Sequence, residues 1–138
     1  MDDATYMRLA IEEARQGAAE GNSPYGAVVV RDGQVIGRGH NRTTSAFDPS
    51  AHGEVEAVRD ACKGLRSITL EGATLYTTGE PCIMCQTAMR AAGIARLVVG
   101  AFMVDSVDYW RRNPRPATLP YEQTNGVLRQ ECVRLYEP

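Results

Sequence analysis

The sequence predicts an α/β protein built as a layered sheet, and three observations carry that expectation. Runs at 26–30, 35–39, 73–78 and 96–101 have the length and the apolar or β-branched content of strands. Stretches with apolar residues at three- and four-residue spacing alternate with them, as amphipathic helices do. The run Arg96-Leu97-Val98-Val99-Gly100-Ala101 is apolar beyond its first residue, as in a strand covered on both faces. Strands alternating with helices bury a sheet under helical layers.

In order, Thr5 to Glu20 places Met7, Ala10, Ile11, Ala14 and Ala18 on one stripe of a helix, with Asp3 as the expected cap and Gly21 as the stop. Met7 and Ile11 are assigned to packing. Gly26 to Val30, the turn Arg31-Asp32-Gly33-Gln34 and Val35 to Gly39 read as a hairpin joined by an Asp-Gly turn, ending at His40-Asn41. Thr43, Thr44, Ser45, Asp48 and Pro49 then form a polar loop at the mouth of whatever site the hairpin borders. Val55, Val58 and Ala61 or Cys62 restore helical spacing, so His52 and Glu54 fall in the first turn of a second helix that ends near Gly64, with Cys62 toward the core. Ala73 to Thr78 is a third strand. Pro81 suits the first position of a third helix running to about Gly93. After the fourth strand the three prolines between Arg111 and Pro120 predict an irregular excursion. Val127 to Tyr136 is the expected closing helix, with Cys132 in the core.

At 138 residues and 43% hydrophobic, with no repeat or linker, the chain is expected to form one domain spanning 1–138. No apolar run approaches a membrane span, and Met1-Asp2-Asp3 is acidic where a signal peptide is basic, so a cytoplasmic location is the expectation. The formal net charge of −2 argues for a small substrate over nucleic acid, although a local basic groove can hide inside an acidic total and Arg111, Arg112 and Arg115 form a small cluster.

The chemistry concentrates in Ala51-His52-Gly53-Glu54 and Glu80-Pro81-Cys82-Ile83-Met84-Cys85. Cys82 and Cys85, three apart at the start of a helix, put two sulfurs on one face within reach of one zinc ion, and His52 supplies a third ligand. Three protein ligands leave an open position for water, whose pKa the metal lowers. Glu54 reaches that water as a proton shuttle without itself being a ligand. A redox C-x-x-C leaves His52 and Glu54 without a role. A closed structural zinc requires a fourth ligand from His40, Cys62 or Cys132.

The order H-x-E…P-C-x-x-C is the known signature of zinc deaminases, and with it the chain resembles the cytidine-deaminase-like superfamily. Gly26-Ala27-Val28-Val29-Val30, Gly39-His40-Asn41, Asp48-Pro49-Ser50-Ala51-His52 and Leu75-Tyr76-Thr77-Thr78-Gly79-Glu80-Pro81-Cys82 are similar to the branch of guanine deaminases, fungal cytosine deaminase and tRNA adenosine deaminases. The resemblance implies a three-layer α/β/α fold with a central mixed five-stranded sheet, one zinc per chain and a homodimer. It implies that Asn41, otherwise a turn former, hydrogen-bonds the substrate base, and it marks Tyr25, Ala51 and Asp105 as further substrate-binding positions. Gly53 stands where alanine is more frequent, as in fungal cytosine deaminase, while Asp48-Pro49 is closer to the guanine deaminases. Met89-Arg90-Ala91 lacks the aromatic residue of bacterial guanine deaminases, and their longer C-terminal tail has no counterpart. The lysine-containing segment and basic C-terminus of the tRNA enzymes have none either, and Phe102 to Arg112 is this chain's own. The expected substrate is accordingly a small aminated heterocycle, guanine-like first and cytosine-like second. tRNA adenosine and a non-catalytic zinc scaffold are the alternatives.

Overall fold

The computed structural model describes residues 1–102 and 122–137. Five strands form one mixed sheet in the order β2-β1-β3-β4-β5, with β1 (Gly26–Arg31), β2 (Gln34–His40), β3 (Thr74–Gly79), β4 (Arg96–Ala101) and β5 (Glu122–Thr124). β1 is antiparallel to both β2 and β3, whereas β3, β4 and β5 run parallel. The hairpin turns on Asp32 and Gly33, both at positive φ, the conformation a two-residue turn requires. α2 (Gly53–Leu65) and α3 (Ile83–Ala92) cover one face of the sheet; α1 (Asp3–Ala19) and α4 (Arg129–Val133) cover the other. The period-2 alternation divides the strands between them. Ala27, Val29, Leu75, Leu97 and Val99 pack under α2 and α3, while Val28, Val30, Tyr76 and Val98 pack under α1 and α4. The expected three-layer α/β/α architecture with a mixed five-stranded sheet is thus the observed one.

Helix α2 sits close on β2 because the strand presents glycine where the two meet. A Cβ on Gly39 would collide with the backbone N of Ala57, and one on Gly37 would lie 2.7 Å from the Ala57–Ala61 face at Ala61 Cβ. That contact fixes where the N-terminus of α2 arrives, and so where His52 and Glu54 stand.

Several boundaries differ from the sequence expectation. Asp2, not Asp3, caps α1: its carboxylate accepts from the Thr5 amide at 2.9 Å. Asp3 is freed to accept two hydrogen bonds from Arg96, at 3.0 and 2.7 Å. α2 runs one residue beyond Gly64 and stops on Arg66 in the left-handed conformation. Pro81 precedes the cap of α3 instead of opening the helix, because Cys82 is still extended at ψ 172°. The closing helix is shorter than expected. The Val127 amide donates to Val99 O at 3.2 Å, Leu128 is left-handed, and the helix starts only at Arg129 before a 3-10 turn at Arg134–Tyr136. β5, polar and largely exposed, had no apolar signal to mark it. Cys62 is only half-buried against the α2/α3 core, and Cys132 is fully buried on the opposite face. Among the described residues, no helix is long and apolar enough to cross a membrane.

Candidate zinc and catalytic site

Strand directions bring the motif residues to one end of the sheet. β1 starts there, with Gly26 opposite His40, the last residue of β2, while Ala27 faces Thr77 near the end of β3. Tyr25, Asn41 and the residues after Gly79 therefore share that edge. Two helices also begin there. His52 is the N-cap of α2 and Cys82 the N-cap of α3, positions where Ser, Asp or Asn is usual. Neither side chain closes a capping hydrogen bond. They face one another instead.

His52 Nδ1 lies 3.6 Å from Cys82 Sγ and 3.4 Å from Cys85 Sγ, and the two sulfurs are 3.6 Å apart. Ligands of one tetrahedral zinc, at about 2.3 Å for sulfur and about 2.0 to 2.1 Å for nitrogen, are separated by about 3.8 Å (S to S) and about 3.6 Å (N to S). The triangle fits zinc within a few tenths of an ångström, and the two-sulfur, one-imidazole donor set suits that metal. Among the described residues, these three are the one His/Cys/Asp/Glu group arranged to hold an ion. The alternatives for a fourth ligand are committed elsewhere. His40 is clamped by Glu13 at 2.8 Å and Glu20 at 3.1 Å, Cys62 packs against the core under α2 and α3 and is not part of the ligand group, and Cys132 packs against Gly100 on the other face of the sheet. The site is therefore of the open, three-ligand kind.

The electrostatics match a cation site. The Cys85 thiol and His52 hold the Cys82 thiol down to about 4, and the Cys82 sulfur in turn raises the His52 pKa. Cys85 is pushed well above the ordinary thiol range by the Cys82 sulfur, by burial and by Glu54. A divalent metal bound here would take the place of the remaining thiol proton.

Glu54, 5% exposed, lies in the first turn of α2 and reaches this triangle. Its Oε2 accepts from Cys85 Sγ at 3.3 Å, and its Oε1 accepts from the Thr77 hydroxyl at 2.6 Å. Nothing in the sequence set Thr77 apart from the rest of its strand; only its inward register opposite Ala27 could have pointed to it.

Of the substrate-binding candidates, Asn41 is buried beside the site. Its Oδ1 is occupied by the Thr43 amide at 3.0 Å and the Thr43 hydroxyl at 2.8 Å, which leaves its NH2 group as the end available to a ligand. Backbone bonds tie it to the other two candidates on that edge. The Asn41 amide donates to Tyr25 O, and the Arg42 amide donates to Ala51 O, each at 2.9 Å. The Tyr25 ring packs on Tyr136 at 5.5 Å between centroids. Asp105, the arginines at 111, 112 and 115, and all of the 102–112 segment beyond Phe102 lie outside the described residues.

Residues 1–101 match the cytidine and deoxycytidylate deaminase zinc-binding region, and the chain belongs to that family. It is a zinc-dependent deaminase that hydrolyses a C–N bond. Among relatives, it is 37% identical to the tRNA-specific adenosine deaminase of Bacillus subtilis over 94% of this chain and 83% of that one. It spans 64% of the length of the counterpart from Aquifex aeolicus. Of solved structures, one from a study of A-to-I editing by tRNA:A34 deaminases at the wobble position superposes with a TM-score of 0.80 at 37% identity, covering 95% of this chain and 98% of that chain. The guanine deaminase of Nitrosomonas europaea superposes with a TM-score of 0.86 at 26% identity, covering 96% and 81%.

Proposed function

We propose that the protein deaminates adenosine to inosine in the anticodon loop of a transfer RNA. The observation that carries this reading is the 37% identity to a tRNA-specific adenosine deaminase along 94% of the chain. It favours the alternative over the main expectation, in which the motif pair, Asn41, the resemblance of Asp48-Pro49 and the acidic charge put a small guanine-like base first. A net charge of −2 does not oppose this reading, because it averages over the surface, whereas RNA is met by local cations. Arg38, Arg42, Arg59 and Lys63 line one cleft at the β2–α2 edge beside the Asn41 loop. The carboxylates of that cleft are engaged: Glu13 with His40, Glu56 with Arg59, and Asp60 with the Arg38 amide. Arg38, Arg42 and Lys63 remain available to phosphate.

In this reading His52 Nδ1, Cys82 Sγ and Cys85 Sγ hold the zinc, which when bound supplies a Lewis acid that brings the pKa of a water toward about 7. Glu54 accepts the proton of the attacking water as a C–O bond forms at C6 of adenine. It passes that proton to ring N1, then takes the second proton from the new C6 hydroxyl and delivers it to the departing amino group as the C–N bond breaks, the C6 carbonyl forms and ammonia leaves. The Asn41 NH2 group donates to an acceptor on the purine edge, and Tyr25 and Ala51 shape the wall beside it. Two protomers per active unit are part of the proposal.

The test is ammonia release from an anticodon stem-loop with adenosine at the wobble position, run beside free guanine. Turnover of the stem-loop, with binding that weakens steeply as salt rises, is expected. The guanine reading, favoured by the higher TM-score of 0.86, predicts turnover of the free base alone, and that result overturns the RNA proposal.

A further inference from the structure

We infer that Thr77 is a positioning residue for the proton-carrying carboxylate: its hydroxyl holds Glu54 Oε1 where Oε2 can serve the water and the substrate. The inference rests on Glu54 as proton carrier and is independent of which base is the substrate.

Thr77 occupies a position where packing alone calls for an aliphatic side chain. It lies on the same face of β3 as Leu75, is fully buried, and stands above the apolar layer of Val29, Leu97 and Val99. A hydroxyl placed there is costly unless it is hydrogen-bonded. It has two partners, Glu54 Oε1 at 2.6 Å and Gly79 O at 2.9 Å. One hydrogen serves two acceptors, so the Gly79 carbonyl keeps the hydroxyl satisfied whenever the carboxylate shifts. The bond to Glu54 crosses from helix to sheet. Glu54 rides on α2 with His52, whereas Thr77 sits on β3, five residues before Cys82, so the contact registers the carboxylate against both halves of the ligand set.

The second contact of Glu54, from Cys85 Sγ at 3.3 Å, uses a thiol hydrogen. A zinc-ligating cysteine is a thiolate and has no hydrogen to give. Of the two contacts recorded for Glu54, only the one from Thr77 survives metal binding. With the metal held by His52, Cys82 and Cys85, Oε1 would stay anchored on Thr77 and Oε2 would be free to take up a proton. A misplacement of about 1 Å in such a group costs about 100-fold in rate.

The experiment compares Thr77→Val, which keeps the shape and removes the hydroxyl, with Thr77→Ser, which keeps the hydroxyl, in the zinc-loaded full chain. Thr77→Val is expected to lower kcat about 10- to 100-fold with KM and zinc content unchanged, and Thr77→Ser to recover most of the loss. Full activity in Thr77→Val overturns the inference. So does a serine variant as slow as the valine one, or a valine variant that has lost its zinc. A cycle of Thr77→Val with Glu54→Ala, read by denaturant unfolding, needs no substrate: non-additive effects are expected, and strict additivity overturns the contact. If the wild type deaminates guanine and not the stem-loop, the RNA reading fails while the Thr77 comparison proceeds on guanine.

Discussion

The face of the sheet under α2 and α3 and the face under α1 and α4 are made from alternate residues of the same strands, yet their polar groups are used differently. Under α1 and α4 the polar contacts tie elements together. Tyr6 donates to Gly33 O at 3.1 Å, and Tyr76 and Arg96 both donate to Asp3. Under α2 and α3 the buried polar groups gather at one end, where two helices begin with ligands in their cap positions. A cap residue normally satisfies its own helix, and at these two starts the cap side chains instead face each other, 3.6 Å apart, in a donor set that suits zinc. One face trades polar groups for stability and the other for chemistry, so substitutions on the two faces should separate in what they change.

The largest effect is expected from Cys82→Ser. Removing a thiolate from the triangle at 3.6 and 3.4 Å leaves two ligands, and metal analysis should find the zinc lost. Because a preformed ligand triangle binds metal more tightly than the unfolded chain does, the melting temperature should fall with it. Retained stoichiometric zinc would refute the ligand set. Glu54→Gln sharpens the contrast by keeping the metal while slowing deamination about 100- to 10,000-fold, read as ammonia release at matched zinc content.

How much of this was legible in the sequence follows the same division. The gathering of His52, Cys82 and Cys85, with Glu54 beside them, could be read because zinc chemistry calls for those residue types at those spacings, and β4 because an apolar run of five leaves little choice. Thr77 was not legible: threonine is a common strand residue, and only the arrival of α2 beside β3 gives its hydroxyl a partner. β5 escaped for the opposite reason, since an edge strand reading Glu-Gln-Thr has backbone pairing and no apolar face. The Asp2 cap was missed by one residue because two adjacent aspartates fit the same signal, and the pairing of Asp3 with Arg96, 93 residues away, decides between them. The substrate was not legible from whole-chain charge, a quantity blind to where Arg38, Arg42 and Lys63 sit.

A substitution in the scaffold of the chemical face should act through placement. Gly39→Ala puts a Cβ into the backbone of α2 at Ala57, 2.7 Å from Gly53 O, at the turn that carries Glu54. Overpacking of this kind costs about 1 to 3 kcal/mol. The midpoint of denaturation should fall, and activity should fall further than the unfolded fraction explains. Loss of activity in strict proportion to unfolding would show that α2 shifts without disturbing its first turn.

The smallest effect belongs to the other face, where Asp3→Asn should cost about 1 kcal/mol of stability and leave zinc content and kcat alone. Its pH dependence identifies the cause. Hydrogen bonds from Arg96, then Tyr76, hold the Asp3 carboxyl below its ordinary 3.8, so the folded state favours the ionised form. A group depressed in this way contributes its stability in full above the unfolded pKa and loses it as the pH falls through the folded value. The gap between wild type and Asp3→Asn should therefore be constant from neutral pH down to about pH 5 and close below 3.8. A gap that persists at pH 2 would mean that the asparagine disturbs the start of α1 next to its Asp2 cap, and that the ion pair with Arg96 contributes nothing.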